Sequence, residues 1–101
     1  MIKVKVVDVV RMLKGKCEVK GNPNAFFTEV KPIGEESKDS LIWISPEKKE
    51  KENIINRTAA KVIICDKGLM KKILPEDKTY IFTSNPRFVF SRILRNYFAV
   101  E

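Results

Sequence analysis

The sequence predicts an α/β domain: a small, mixed, partly parallel sheet with short flanking helices. Two observations carry this. Ala60 to Ile64, interrupted only by Lys61, is an apolar run rich in β-branched residues, which suits a central strand covered on both faces. Strand-like and helix-like segments then alternate, and alternation implies crossover connections between parallel strands. At 101 residues the chain is long enough for one compact domain, taken as residues 1–101.

Each element has its own warrant. Ile2 to Val4 starts as a short strand. Val6, Val9, Val10 and Leu13 then recur on one face of a helix, with Asp8 in the first turn and Gly15 as the stop. Lys16 to Lys20 reads as strand, and Gly21-Asn22-Pro23-Asn24 as a loop by its turn chemistry. Ala25 to Lys31 is a further strand, ended by Pro32-Ile33-Gly34, and Glu35 to Asp39 is polar and exposed. Leu41 to Ile44 is strand again. Ser45-Pro46 has the composition of a helix start, so a charged helix is expected over Glu47 to Asn56, with Glu47 and Lys51 paired and Ile54 and Ile55 buried. Gly68 to Leu74 suits a short helix before Pro75, and Thr79 to Thr83 is the last strand. Ser84 or Asn85 caps a final helix with Pro86 at its first position, burying Phe90, Ile93, Leu94, Tyr97 and Phe98.

Composition narrows the chemistry. Hydrophobic residues make up 44% and charged residues 33%, the balance of a folded domain and not of a disordered tail. Twenty Lys and Arg against 13 Asp and Glu give +7, which favours anionic partners; the bland alternative is that interleaved lysines simply solvate the surface. Cys17 and Cys65 form no CxxC pair, so neither a disulfide framework nor a zinc site is expected, and free thiols fit a cytoplasmic location. No signal-peptide layout and no apolar run long enough to span a membrane is present. The chain has no histidine, which removes Ser–His and Cys–His nucleophile schemes, and it has neither GxGxxG nor GxxxxGK[ST]. No cofactor, no metal site and no catalytic residue is therefore expected within it.

One ordered set of strings is more specific. Met12-Leu13-Lys14-Gly15, Val30-Lys31-Pro32-Ile33, Asp39-Ser40-Leu41-Ile42-Trp43-Ile44-Ser45, Thr58 to Ile64 and Asn85 to Leu94 together cover most of the chain. In this order they resemble the amino-terminal, non-repeat domain of the UDP-3-O-acylglucosamine N-acyltransferases (the LpxD family) of lipid A biosynthesis, a domain similar to the small amino-terminal domain of Mur ligases. The resemblance implies a Mur-ligase-N-terminal-like fold that helps hold the uracil of a UDP-sugar. It also implies that acyl transfer belongs to a left-handed β-helix following Glu101, where a histidine acts as base and an acyl carrier protein delivers the acyl group. On this expectation the chain recognises a nucleotide sugar and lacks the catalytic part of the acyltransferase.

The resemblance also implies a site. The family has an aromatic residue stacked on uracil at the end of the strand before the charged helix, and Trp43 stands there. The alternative is a core Trp43 on an alternating strand, facing the same way as Leu41. The family's Asn and Tyr, which complete the uracil site, fall here at Ser45 and Lys49, beside Lys48. Asn85 and Arg87 match the family's Asn-Pro-containing helix start, where Asn85 acts as a cap and Arg87 is available to a phosphate. The tentative UDP site is thus Trp43, Ser45, Lys48, Lys49, Asn85 and Arg87. Two other readings stay open. One is a basic nucleic-acid-binding module using Arg87, Arg92 and Arg95, disfavoured because the aromatics of that helix lie on its buried stripe. The other is a ligand-free structural or homo-oligomerisation domain.

Overall fold

The structure, a computed structural model, describes residues 2–98. It contains seven strands and three α-helices: β1 (Val4–Lys5), α1 (Val6–Met12), β2 (Glu18–Lys20), β3 (Phe26–Phe27), β4 (Glu29–Val30), β5 (Ser40–Trp43), α2 (Lys51–Arg57), β6 (Val62–Asp66), β7 (Thr79–Thr83) and α3 (Pro86–Tyr97). A 3-10 helix, Lys67–Lys71, connects β6 to β7. The main sheet has the order β2-β7-β6-β5-β4, and β1 pairs with β3 in a separate two-stranded ribbon. Strands β4 to β7 are mutually parallel, and β2 joins β7 antiparallel. The mixed, mostly parallel α/β architecture is the one the sequence predicts.

Alternation along the strands builds two cores. Leu41, Val62, Ile64 and Ile81 face one side, where Val6, Val9 and Leu13 of the α1 segment and Val89 and Ile93 of α3 cover them. Ile42, Ile63, Cys65, Tyr80 and Phe82 face the other side, against Ile55 of α2, Leu69 and Leu74. Val62 to Cys65 are all buried, because β6 is central and covered on both faces. The edges differ in kind. β2 is short and leaves Glu18 and Lys20 exposed, and β4 has only two residues.

Three segments depart from the sequence reading. The expected strand from Ala25 to Lys31 divides at Thr28. Phe26 and Phe27 pair with β1, whereas Glu29 and Val30 enter the main sheet. The division follows from Phe27, which is fully buried opposite Val4, and from Thr28 N, which donates to Asp39 O. The charged helix starts at Lys51, not at Glu47. Ser45 instead forms a turn: its carbonyl accepts from Lys48 N at 3.0 Å, and its hydroxyl donates to the Glu47 carboxylate. Glu50 then enters α2 in the left-handed region, φ 57°. On α3, Val89 is buried deeper than the partly buried Phe90, Leu94, Tyr97 and Phe98, so the stripe is rotated toward Val89 and Ile93.

Two tight features hold the loop ends. Gly21 has φ 120°, and a Cβ there would lie 2.8 Å from Lys78 O. Only glycine accepts both that conformation and that approach. Lys78 is buried, and its Nζ donates to Thr58 O at 2.8 Å and Ala60 O at 3.1 Å. Burial lowers its pKa, and the two carbonyls use the donors that water would otherwise satisfy. Among the described residues, no helix is long and apolar enough to cross a membrane.

Candidate functional site

The parallel strands all point their carboxyl ends at one edge of the sheet. Ligands of open α/β sheets bind in crevices outside that edge. Here the connections β5–α2–β6 and β6–β7 cover one face, whereas α3, which follows β7, covers the other. Where the chain changes face, the loop after β5 and the loop after β7 part to leave a cleft of about 320 Å³, lined by Trp43, Ser45, Pro46, Glu47, Ser84, Asn85 and Arg87.

Each side chain arrives for a local reason. Trp43 is the last residue of β5 and points with Leu41 toward α3. It is half-buried and stacks on Phe90, with ring centroids 5.5 Å apart and planes at 26°. One indole face is thus occupied by Phe90, which leaves the other face or an edge for a ligand. Asn85 caps α3, its Oδ1 accepting from Phe88 N at 3.1 Å, while its own N donates to the Thr83 hydroxyl. Arg87 sits on the exposed first turn of α3. Hydrogen bonds, first from the Ser45 hydroxyl and then from its own backbone amide, hold the Glu47 carboxyl below the usual range, so it is ionised at neutral pH.

The wall formed by Pro46 is itself anchored. Lys51 Nζ lies 2.9 Å from Pro46 O and 2.8 Å from Asp66 Oδ1, at the carboxyl end of β6. Lys51 is about a fifth exposed (22%), as is Asp66 (19%), so the pair is only partly screened by water. Asp66 also caps the 3-10 helix by accepting from Gly68 N at 3.0 Å.

Of the residues singled out from the sequence, Trp43, Ser45, Asn85 and Arg87 come together at this cleft. Lys48 and Lys49 do not line it; both are exposed in the segment between Pro46 and α2. Pro46, Glu47 and Ser84 complete the walls and are not among the residues the sequence singles out for the site. The helix-like composition after Ser45-Pro46 masks the place of Glu47 in the wall, and Ser84 reads from sequence only as a cap. Chemically, the cleft offers an aromatic ring, one carboxylate, one guanidinium, hydroxyls and a capping amide. Among the described residues, no cluster of three His, Cys, Asp or Glu is placed to hold a metal ion. No protein-family model and no curated protein matches this chain.

Proposed function

We propose that the chain recognises the uridine diphosphate portion of a UDP-glucosamine derivative, as the non-catalytic domain of an N-acyltransferase of lipid A biosynthesis. The observation that carries this reading is the half-buried Trp43 beside an open cleft at the carboxyl edge of parallel strands. Stacking a pyrimidine on an aromatic ring is worth ~1–3 kcal/mol. Glu47 is suited to accept from ribose hydroxyls or from the uracil N–H, and Arg87 to donate to the diphosphate. The mixed α/β fold agrees with the resemblance to the family's amino-terminal domain. Under this reading the protein works in the cytoplasm, and an acyl carrier protein meets only the β-helix that would follow.

The departures at Ser45 and Lys49 shape the proposal. With no Tyr closing the second side, uracil is held against one aromatic and not between two. Weak binding follows, with dissociation constants nearer millimolar than micromolar. Trp43 is the only tryptophan in the chain, so its emission reports the site directly. Titration with UDP-N-acetylglucosamine is expected to quench it saturably, and UDP is expected to compete. Unchanged emission up to millimolar nucleotide sugar would remove the proposal and leave a structural domain.

A further inference from the structure

Ser84 and Asn85 are a shared wall. On their other side lies a second groove, of about 300 Å³, between the end of α1 and the first turns of α3. Lys14, Lys16 and Arg92 line it, and no carboxylate does. All three of its charged lining residues are therefore cations, in a chain that also carries 13 acidic residues. The groove also exposes an aromatic ring. Phe88 is 50% exposed, and the Arg92 guanidinium lies 5.8 Å from its centroid. The last turn of α1 sets the lysines. Gly15 N reaches Val10 O at 3.4 Å and Lys14 N reaches Arg11 O at 3.1 Å, with Lys14 left-handed at φ 53°. Helices ending this way usually place glycine at that left-handed position. Here a lysine occupies it and lines the groove.

We propose that this groove is a second site, separate from the Trp43 cleft, that binds a nucleoside phosphate with its base against Phe88 and its phosphate among Lys14, Lys16 and Arg92. The three cations supply charge-assisted hydrogen bonds to phosphate oxygens, and Ser84 and Asn85 add neutral polar groups. An aromatic beside a cationic groove is the pairing that holds nucleotides without regard to base identity. The same chemistry serves a free nucleotide and a residue within a single strand, so the test separates the two.

The full chain is titrated into a fluorescently labelled, 5′-phosphorylated short oligothymidylate, and anisotropy is read at about 50 and about 200 mM salt. Saturable binding is expected, roughly twentyfold weaker at the higher salt, because three phosphate contacts give a log–log slope of about −2 on single strands. Replacing Lys14, Lys16 and Arg92 together by Gln is expected to weaken binding by at least about tenfold. A charge-matched control replacing the exposed Lys31, Lys38 and Lys71 by Gln is expected to retain it. Phe88→Leu, which keeps an apolar side chain, is expected to weaken binding about threefold or more. Competition by free UMP at an affinity equal to the oligomer's upholds the site and assigns it to free nucleotide. An oligomer that binds far more tightly upholds it and assigns it to a strand. No saturable binding at low salt, or an equal loss in the charge-matched control, overturns the proposal.

Discussion

Lys51 and Asp66 meet at 2.8 Å across the carboxyl end of the sheet, and the same Lys51 Nζ holds Pro46 O at 2.9 Å. One ammonium thereby ties α2, β6 and the cleft wall together. Lys51→Met leaves the Asp66 charge partly buried without its partner and frees the Ser45–Glu47 turn. The expected loss is about 1–3 kcal/mol in denaturant unfolding. Asp66→Asn retains an acceptor for Gly68 N and should cost less. Equal losses would place the energy in the ion pair, which both variants break, and not in the contact with Pro46 O, which only Lys51→Met removes.

Phe90 supports the indole. Phe90→Ala removes the stacked ring from a half-buried site and is expected to cost about 1–3 kcal/mol, less than for a fully buried phenylalanine. Because Trp43 is the only tryptophan, its emission should move to the red as water reaches the vacated face. An unchanged emission maximum would mean that Phe90 does not shield the indole.

Asn85 can be divided into its two roles. Asn85→Ala removes the acceptor for Phe88 N and should lower stability by about 1 kcal/mol. Asn85→Asp keeps a capping oxygen and adds a negative charge favoured by the helix dipole, so it should melt at or above the wild-type temperature. The same aspartate stands on the wall between both clefts and should weaken any phosphate ligand. A variant as stable as wild type with undiminished nucleotide binding would remove Asn85 from the site.

Alkaline pH should unfold this protein through its buried acids. Burial, with the Asp66 charge as the next cause, pushes the Cys65 thiol from 9.0 up to about 12. A raised folded pKa gives stability that is complete below the unfolded value and is lost as pH climbs through the folded one. The Cys65 contribution therefore disappears between pH 9.0 and about 12, on the order of 4 kcal/mol at full titration. Tyr80 moves in the same direction, also to about 12, mainly through burial. Melting temperatures recorded over this range should fall steeply for wild type and less steeply for Cys65→Ala, whatever constant offset the small cavity adds. Parallel curves would exclude Cys65 as a titrating group.

Lys78 acts differently. Lys78→Met keeps the stem and removes a donor shared by Thr58 O and Ala60 O. The orphaned carbonyls should cost about 1–3 kcal/mol, partly offset by no longer burying a charge. Chemical denaturation checks the sign; a more stable variant would show that burying the charge outweighs the two bonds.

What was legible in the sequence is what local chemistry decides. β7 and the start of α3 stand where the alternation, Asn85 and Pro86 put them, because caps and strand periods are written in neighbouring residues. β6 is legible as a central strand because its covered faces are both apolar, although it runs over Val62–Asp66, two residues later than the expected Ala60 to Ile64. The failures all depend on distant partners. Ala25 to Lys31 divides because Phe27 pairs with Val4 while Val30 pairs with Leu41. Ser45-Pro46 has the composition of a helix cap, yet Lys51 is drawn to Asp66 and the helix begins later. For the cleft, Trp43 is named by the family resemblance, and Arg87 by that resemblance together with its place at a helix start. Phe90 falls on the buried stripe of its helix, and nothing in its neighbours indicates the indole beside it. The second groove was not legible at all, since Lys14 and Arg92 are joined only by the packing of α1 and α3 on one sheet face.

The sheet margins bear on how the molecule behaves when crowded. β4 offers two residues and β2 three, with Glu18 and Lys20 pointing into solvent. Neither rim presents a long, flat template of unpaired amides and carbonyls, and a neighbour attempting to dock there would meet fixed charge of either sign. Open-ended stacking of one copy onto the next along these two rims is thereby discouraged.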